Sequence, residues 1–199
     1  MEKFYHGSSV LFDHFDLNHA LEGDGKVKFG YGVYVTEKYE SAAHYAFNEQ
    51  RPENTDFYVY TVEIPDKTEE NHLFSCKPVN ESVVSRTEAK LGKQIPEEAK
   101  EAGKLFRKYV GNLLTGHTGT VRQMISKADL KAEKAATRFF DELGLDFYVW
   151  PQAQSKPDGL TNRAVLNEDK IRILRIDKVE LDKKHQLIPG SQKEVKLEK

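Results

Sequence analysis

FGYGVYVTEKYESAAHY, residues 29–45, reads as a glycine-punctuated turn, a short strand and a helix. Gly30 and Gly32 bracket Tyr31, which opens backbone dihedrals closed to other residues and leaves room for a ligand to approach the main chain. Val33, Tyr34 and Val35 form a β-branched and aromatic run long enough for a buried strand. Thr36 is an N-cap by residue type, and Glu37, Glu40, Ser41 and His44 follow it at helical intervals. Tyr34 is thus set on the strand and Tyr45 on the helix after it. A second strand signal, Phe4-Tyr5-His6, opens the chain and runs into Gly7 and Ser8.

Outward from these two segments, a chain of 199 residues, 38% of them hydrophobic, is enough for one medium domain with its own core. The net charge of −2 selects no class of partner. A single cysteine, Cys76, excludes a disulfide framework and a multi-cysteine metal site, and it suits a reducing cytosol. With no long apolar run and no basic-then-apolar leader, neither a membrane span nor a secretion signal is expected, which makes the cytoplasm the expected location. Residues 10–28 read as irregular, with Leu11, Phe12, Phe15 and Leu17 packing beneath and a flexible turn at Glu22 to Lys26. FYVYTVEI, residues 57–64, alternates as a strand with one buried face and stops at Pro65-Asp66.

From about 80 to 143 the pattern turns helical. Ile95-Pro96-Glu97-Glu98 marks a helix start, and Leu105, Tyr109, Val110, Leu113 and Leu114 supply an apolar stripe. The link at 115–119, TGHTG, breaks it, and a second helix is expected from Thr120 to about Leu143, closed by Gly144. Strands return at 147–150, 163–166 and 171–181. The order of elements predicts an α+β domain over 1–182, followed by a charged tail, 183–199, whose charge density would fray it. From Ser85 to Lys134 eleven Lys and Arg stand against six Asp and Glu, a net of +5 that leaves −7 for the rest. Such a surface can track phosphates, although an ordinary solvated helix face is the commoner use of it.

Taken together, His6-Gly7-Ser8 and Phe29 to Tyr34 with Tyr45 resemble the ADP-ribosyltransferase superfamily, in the branch whose site uses a His, a Tyr and a late polar residue. Small bacterial and phage domains of that family are also similar in FYHGSSVLFDHFDL, in VEIPD and in the late helix, LG-D, strand and proline. The middle of the chain is not covered. The resemblance implies a split β-sheet core with a helical insert at about 80–143. It also implies that NAD is a co-substrate and that no metal is needed. His6, Gly7, Ser8, Tyr34 and Tyr45 would then bind NAD: His6 and Ser8 at the adenosine ribose, Gly7 through its backbone at the nicotinamide amide. Tyr34 and Tyr45 would sandwich the nicotinamide, where stacked rings gain about 1 kcal/mol. His6, Tyr34 and the late residue would be catalytic.

That late residue departs from the commonest pattern. Registering N162-RAVLNEDK-I171 puts Asn162 where many relatives carry Glu. Asn can hydrogen-bond a ribose hydroxyl but cannot act as a base near neutral pH. Three readings follow: Asn162 serves an acceptor that is already nucleophilic, Asp158 or Glu168 supplies a carboxylate, or transfer is lost. The first is preferred because the bacterial and phage look-alikes carry Asn there. Singly, His6, Tyr34 and Tyr45 also read as a strand-end histidine and two core aromatics.

Other chemistries are weakly supported. No HExxH pair, no G-x-S-x-G elbow and no Rossmann fingerprint is present. The expected function is mono-ADP-ribosyl transfer to a macromolecule, nucleic acid ahead of protein, by an intracellular toxin of a phage-defence or toxin–antitoxin system with a neutralising partner. A non-catalytic NAD- or ADP-ribose-binding module and an NAD hydrolase are the alternatives.

Overall fold

Eight strands form one mixed sheet in the order β4-β5-β6-β2-β1-β3-β7-β8. They are β1 (Glu2–Ser8), β2 (Val33–Thr36), β3 (Phe57–Ile64), β4 (His72–Phe74), β5 (Phe147–Pro151), β6 (Thr161–Val165), β7 (Arg172–Val179) and β8 (Lys193–Glu194). The helices are α1 (Tyr39–Ala46), α2 (Glu81–Leu91), α3 (Glu97–Lys100), α4 (Gly103–Leu114), α5 (Val121–Ser126) and α6 (Leu130–Glu142). This computed structural model describes residues 1–20, 27–48, 52–153, 155–156 and 158–196, so the turn expected at Glu22 to Lys26 lies outside the described residues. The class is α+β, and the helices after α1 all fall inside the stretch read as helical. Among the described residues no helix is long and apolar enough to cross a membrane.

β3 shows why both sheet faces are covered. Tyr58, Tyr60, Val62 and Ile64 pack with Phe4, Val33, Val35, Phe147, Val149 and Val165. β3 and β5 share this cluster although three strands lie between them, so the sheet curls around its concave side. Val59, on the opposite face, is buried against Ala42 and Ala43 of α1. The strand therefore buries two faces where its alternation predicted one. α1 approaches closely because its inner residues are alanines and Gly7 has no side chain. A Cβ on Gly7 would lie 1.8 Å from the Ala42 carbonyl oxygen.

The helices of 81–142 cover the other half of the sheet. Phe106, Val110, Ala136 and Phe140 join Leu73, Tyr148, Trp150 and Ala164 in one cluster; burial stabilises each large side chain by about 1.5–3 kcal/mol. Leu114, expected in the stripe, is exposed, while Phe106, Arg107 and Asn112 are buried. The long second helix is two. Lys127 is extended, and the Asn112 amide donates to the carbonyls of Met124 and Lys127, closing α5. Asp129 then caps α6 by accepting from the Ala132 amide. α1 also begins later than expected: Thr36 belongs to the ladder, opposite Tyr5 and Asn162, so the cap position falls on Lys38. β4 and β8 had no sequence signal long enough to read. In the charge-rich end, β8 pairs with β7.

Candidate functional site

The site sits where the sheet parts. β1 runs paired with β3 through Ser8, and β2 runs paired with β6 along its whole length. Between β1 and β2 the register is a single pair, Tyr5 with Thr36. Beyond that pair His6 spans the gap: its Nδ1 lies 2.8 Å from the Tyr34 carbonyl oxygen. A carbonyl only accepts, so Nδ1 carries the proton and the neutral ring keeps a lone pair on Nε2. The ring is set edge-on to Phe15, Phe12 and Tyr60, with centroids 5.1 to 6.1 Å away. Burial lowers the His6 pKa below its ordinary value, with the hydrogen bond to Tyr34 opposing.

On the face of the sheet bearing α4 and α6, Tyr34 and Asn162 come together. Asn162 is 6% exposed and faces Thr36 on β2 and Trp150 on β5 across the ladders. The Tyr34 ring is 5.0 Å from Trp150, and Phe29 stacks on Trp150 at 4.4 Å and 1°. The Tyr34 hydroxyl donates to the Gly30 carbonyl at 2.8 Å and accepts from the Phe29 amide at 3.2 Å. Burial pushes its pKa up to about 12. Beyond Trp150, the Gln152 amide donates to Ser41 Oγ at 2.6 Å, tying β5 to α1. The Oδ1 of Asn162 is buried and has no hydrogen-bond partner among the described residues. An acceptor left so costs on the order of 1–3 kcal/mol, unless something else supplies a donor.

The other expected residues are placed as follows. Gly30 has φ 106°, and a Cβ there would strike the Tyr148 ring, so the turn requires glycine. Gly32 and Gly7 owe their glycines to close packing: on Val165 and Ala164 for the first, on α1 for the second. Ser8 Oγ accepts from the Val10 amide at 3.0 Å, holding the turn that leaves β1. Tyr45 is 64% exposed, and its one ring contact among the described residues is with His44, so none joins it to Tyr34. Asp158 is exposed and paired with Lys77 at 2.7 Å. Glu168, in a 3-10 turn past the far end of β6, lies 3.4 Å from the Leu17 amide. Neither carboxylate is beside Asn162.

The sequence reading passed over three groups at this site. Trp150 is the largest, and its parity with Tyr148 in a strand ending at a proline was the available signal. Glu37 accepts from the Thr161 amide at 2.9 Å and from its hydroxyl at 2.5 Å, fixing the start of β6. The Gln152–Ser41 bond is a long-range pairing that no local pattern announces. The parted edge offers two groups on opposite faces of the sheet: the neutral His6 imidazole among Phe12, Phe15 and Tyr60, and the buried Asn162 amide acceptor beside the Tyr34 and Trp150 rings. That set suits a ligand bearing hydroxyls and a flat ring. Compared with known proteins, the chain matches no family model, no curated protein and no solved structure.

Proposed function

We propose that the chain is a mono-ADP-ribosyltransferase, with the parting between β1 and β2 serving as the split of an ADP-ribosyltransferase-like sheet. It takes NAD, breaks the bond between nicotinamide and ribose, and passes ADP-ribose to a macromolecule. The observation that carries the reading is the unpartnered Oδ1 of Asn162, on the same face as Tyr34 and beside Trp150. A ribose hydroxyl is the donor that would satisfy it, and the aromatic wall suits the nicotinamide ring. His6, neutral with a free Nε2, would accept from the second ribose. Bond cleavage builds positive charge on the anomeric carbon, as glycoside cleavage does. Asn162 supplies no base, so the acceptor must be nucleophilic by itself.

The acceptor is read as nucleic acid. In the helical segment Glu88, Glu97 and Glu133 are each paired to a cation. Lys93, Lys104, Arg122, Lys127 and Lys131 are exposed and have no ion pair among the described residues. Exposed, uncompensated cations are what phosphate contacts require. A cytoplasmic toxin with a neutralising partner is the role that fits such an activity.

The test is incubation with labelled NAD and a cell extract, followed by nuclease or protease digestion. Label lost to nuclease is expected. Loss to protease would move the acceptor to protein, and free labelled ADP-ribose would make the chain a hydrolase. Absence of turnover would overturn transfer and leave an NAD-binding module. Tyr34→Ala, which removes the ring beside Trp150, should lower turnover by at least about a hundredfold.

A further inference from the structure

The helices of 81–142 reach the candidate site from beneath, at the turn before Tyr34. Thr137 of α6 is buried, and its hydroxyl donates to the Tyr31 carbonyl at 2.7 Å. The same oxygen lies 3.3 Å from the Tyr148 hydroxyl in a second hydrogen bond. Arg107 of α4 and Glu133 of α6 are each 2% exposed and meet through Nε and Oε2 at 2.7 Å, with Nη2 3.3 Å from Oε1. The guanidinium lies over the Tyr148 ring, 5.0 Å from its centroid. Gly30 rests on this pair of side chains: a Cβ there would lie 2.3 Å from the Tyr148 ring and 3.1 Å from Arg107 Cδ.

A buried ion pair is a poor source of stability, since desolvation cancels much of the attraction. Nε and Oε2 make an ion contact without a hydrogen bond; the one the pair has among the described residues is Nη2 to Oε1, and close burial against the Tyr148 ring sets its geometry. Here that geometry floors a glycine turn whose next residue is gripped by Thr137 and whose carbonyl is held by the Tyr34 hydroxyl. We propose that Thr137, Arg107 and Glu133 are positioning residues, and that the helical segment is a frame holding the 29–34 turn, Tyr34 and the Phe29–Trp150 stack in place. Its effect on NAD rests on the reading proposed above. Its effect on the turn does not.

Trp150 is the only tryptophan of the chain, so its fluorescence reports on the stack without any substrate. The experiment compares the full-length chain with Thr137→Val, which keeps the shape and removes the hydroxyl. It adds a double variant, Arg107→Met with Glu133→Leu, which removes both charges and leaves neither buried alone. Far-UV circular dichroism identifies the folded variants. In those, acrylamide quenching of Trp150 is expected to rise. The KM for NAD should rise roughly five- to tenfold with a smaller change in kcat, the effect of one or two lost hydrogen bonds on ring placement. A folded Thr137→Val with unchanged quenching and unchanged KM overturns the proposal. If the double variant does not fold, Thr137→Val alone decides. If the wild-type chain takes no NAD, the functional reading fails separately, and quenching still decides whether the frame holds the turn.

Discussion

Asn162 has a side chain whose placement the fold does not use. Its backbone belongs to the β2–β6 and β5–β6 ladders, but its Oδ1 is shut away with no donor among the described residues. A residue kept for packing would not leave such an atom, because an apolar side chain there would avoid the penalty. Asn162→Ala is therefore expected to leave stability within about 1 kcal/mol of the wild type, in either direction, while lowering NAD turnover roughly ten- to a hundredfold. Urea melts and an NAD assay on the same preparation measure both. A large loss of stability with activity intact would make Asn162 a structural residue. The strand positions of His6 and Tyr34 were legible in the sequence, because short aromatic and β-branched runs mark β1 and β2. The partners that define their chemistry were not. The Tyr34 carbonyl under His6, Trp150 beside Asn162 and Glu37 at Thr161 all depend on pairings between distant segments.

At the scale of elements, the contact of α1 with β1 sets the shape of the parted edge. Ala42, Ala43 and Ala46 are buried, and the helix backbone lies directly on Gly7. A methyl group at Gly7 would overlap the Ala42 carbonyl, so helix or strand must move. Gly7→Ala is expected to cost 1–3 kcal/mol or more, as overpacking does, and to displace α1 with Tyr45 on it. Thermal melts supply the first reading, and tyrosine accessibility to chemical modification the second. Stability equal to that of the wild type would mean the contact is softer than it looks. The strand–helix order was legible here, since the β-branched run and the helical spacing of Glu37, Glu40, Ser41 and His44 are local signals. The start of α1 was not: ladder pairing on both sides holds Thr36 in the strand, against its preference for a cap. The break between α5 and α6 was also hidden, because the Asn112 side chain that closes α5 comes from another helix.

For the whole molecule, the succession of strands and helices was enough to predict an α+β domain with a helical stretch in the middle. The strand order was not, because β2–β6, β1–β3 and β3–β7 pair strands that are not successive in the chain, and alternation names a buried face without naming its neighbour. That curled sheet also sets how stability responds to pH. It half-buries His6 among Phe12, Phe15 and Tyr60, and burial lowers the pKa of both His6 and His72. Below their ordinary value the unfolded chain binds protons that the folded chain refuses, so stability is fully present above about pH 6.5 and is lost as pH falls. Glu2 and Glu142, held low by Arg163 and by Lys90 with Arg138, act in the same direction only at more acidic pH. Between pH 7.5 and 5.5 the raised pKa values of the buried Glu133 carboxyl and of the Met1 amine beside Asp66 act in the opposite direction, so a variant compared with the wild type over that interval, and not the fall alone, isolates His6. Urea midpoints should fall across the interval. His6→Gln, whose amide can still donate to the Tyr34 carbonyl, should show a smaller fall than the wild type. An equal fall in that variant would mean that His6 takes up its proton in the folded chain without strain, and that the ring is less enclosed than its aromatic neighbours imply.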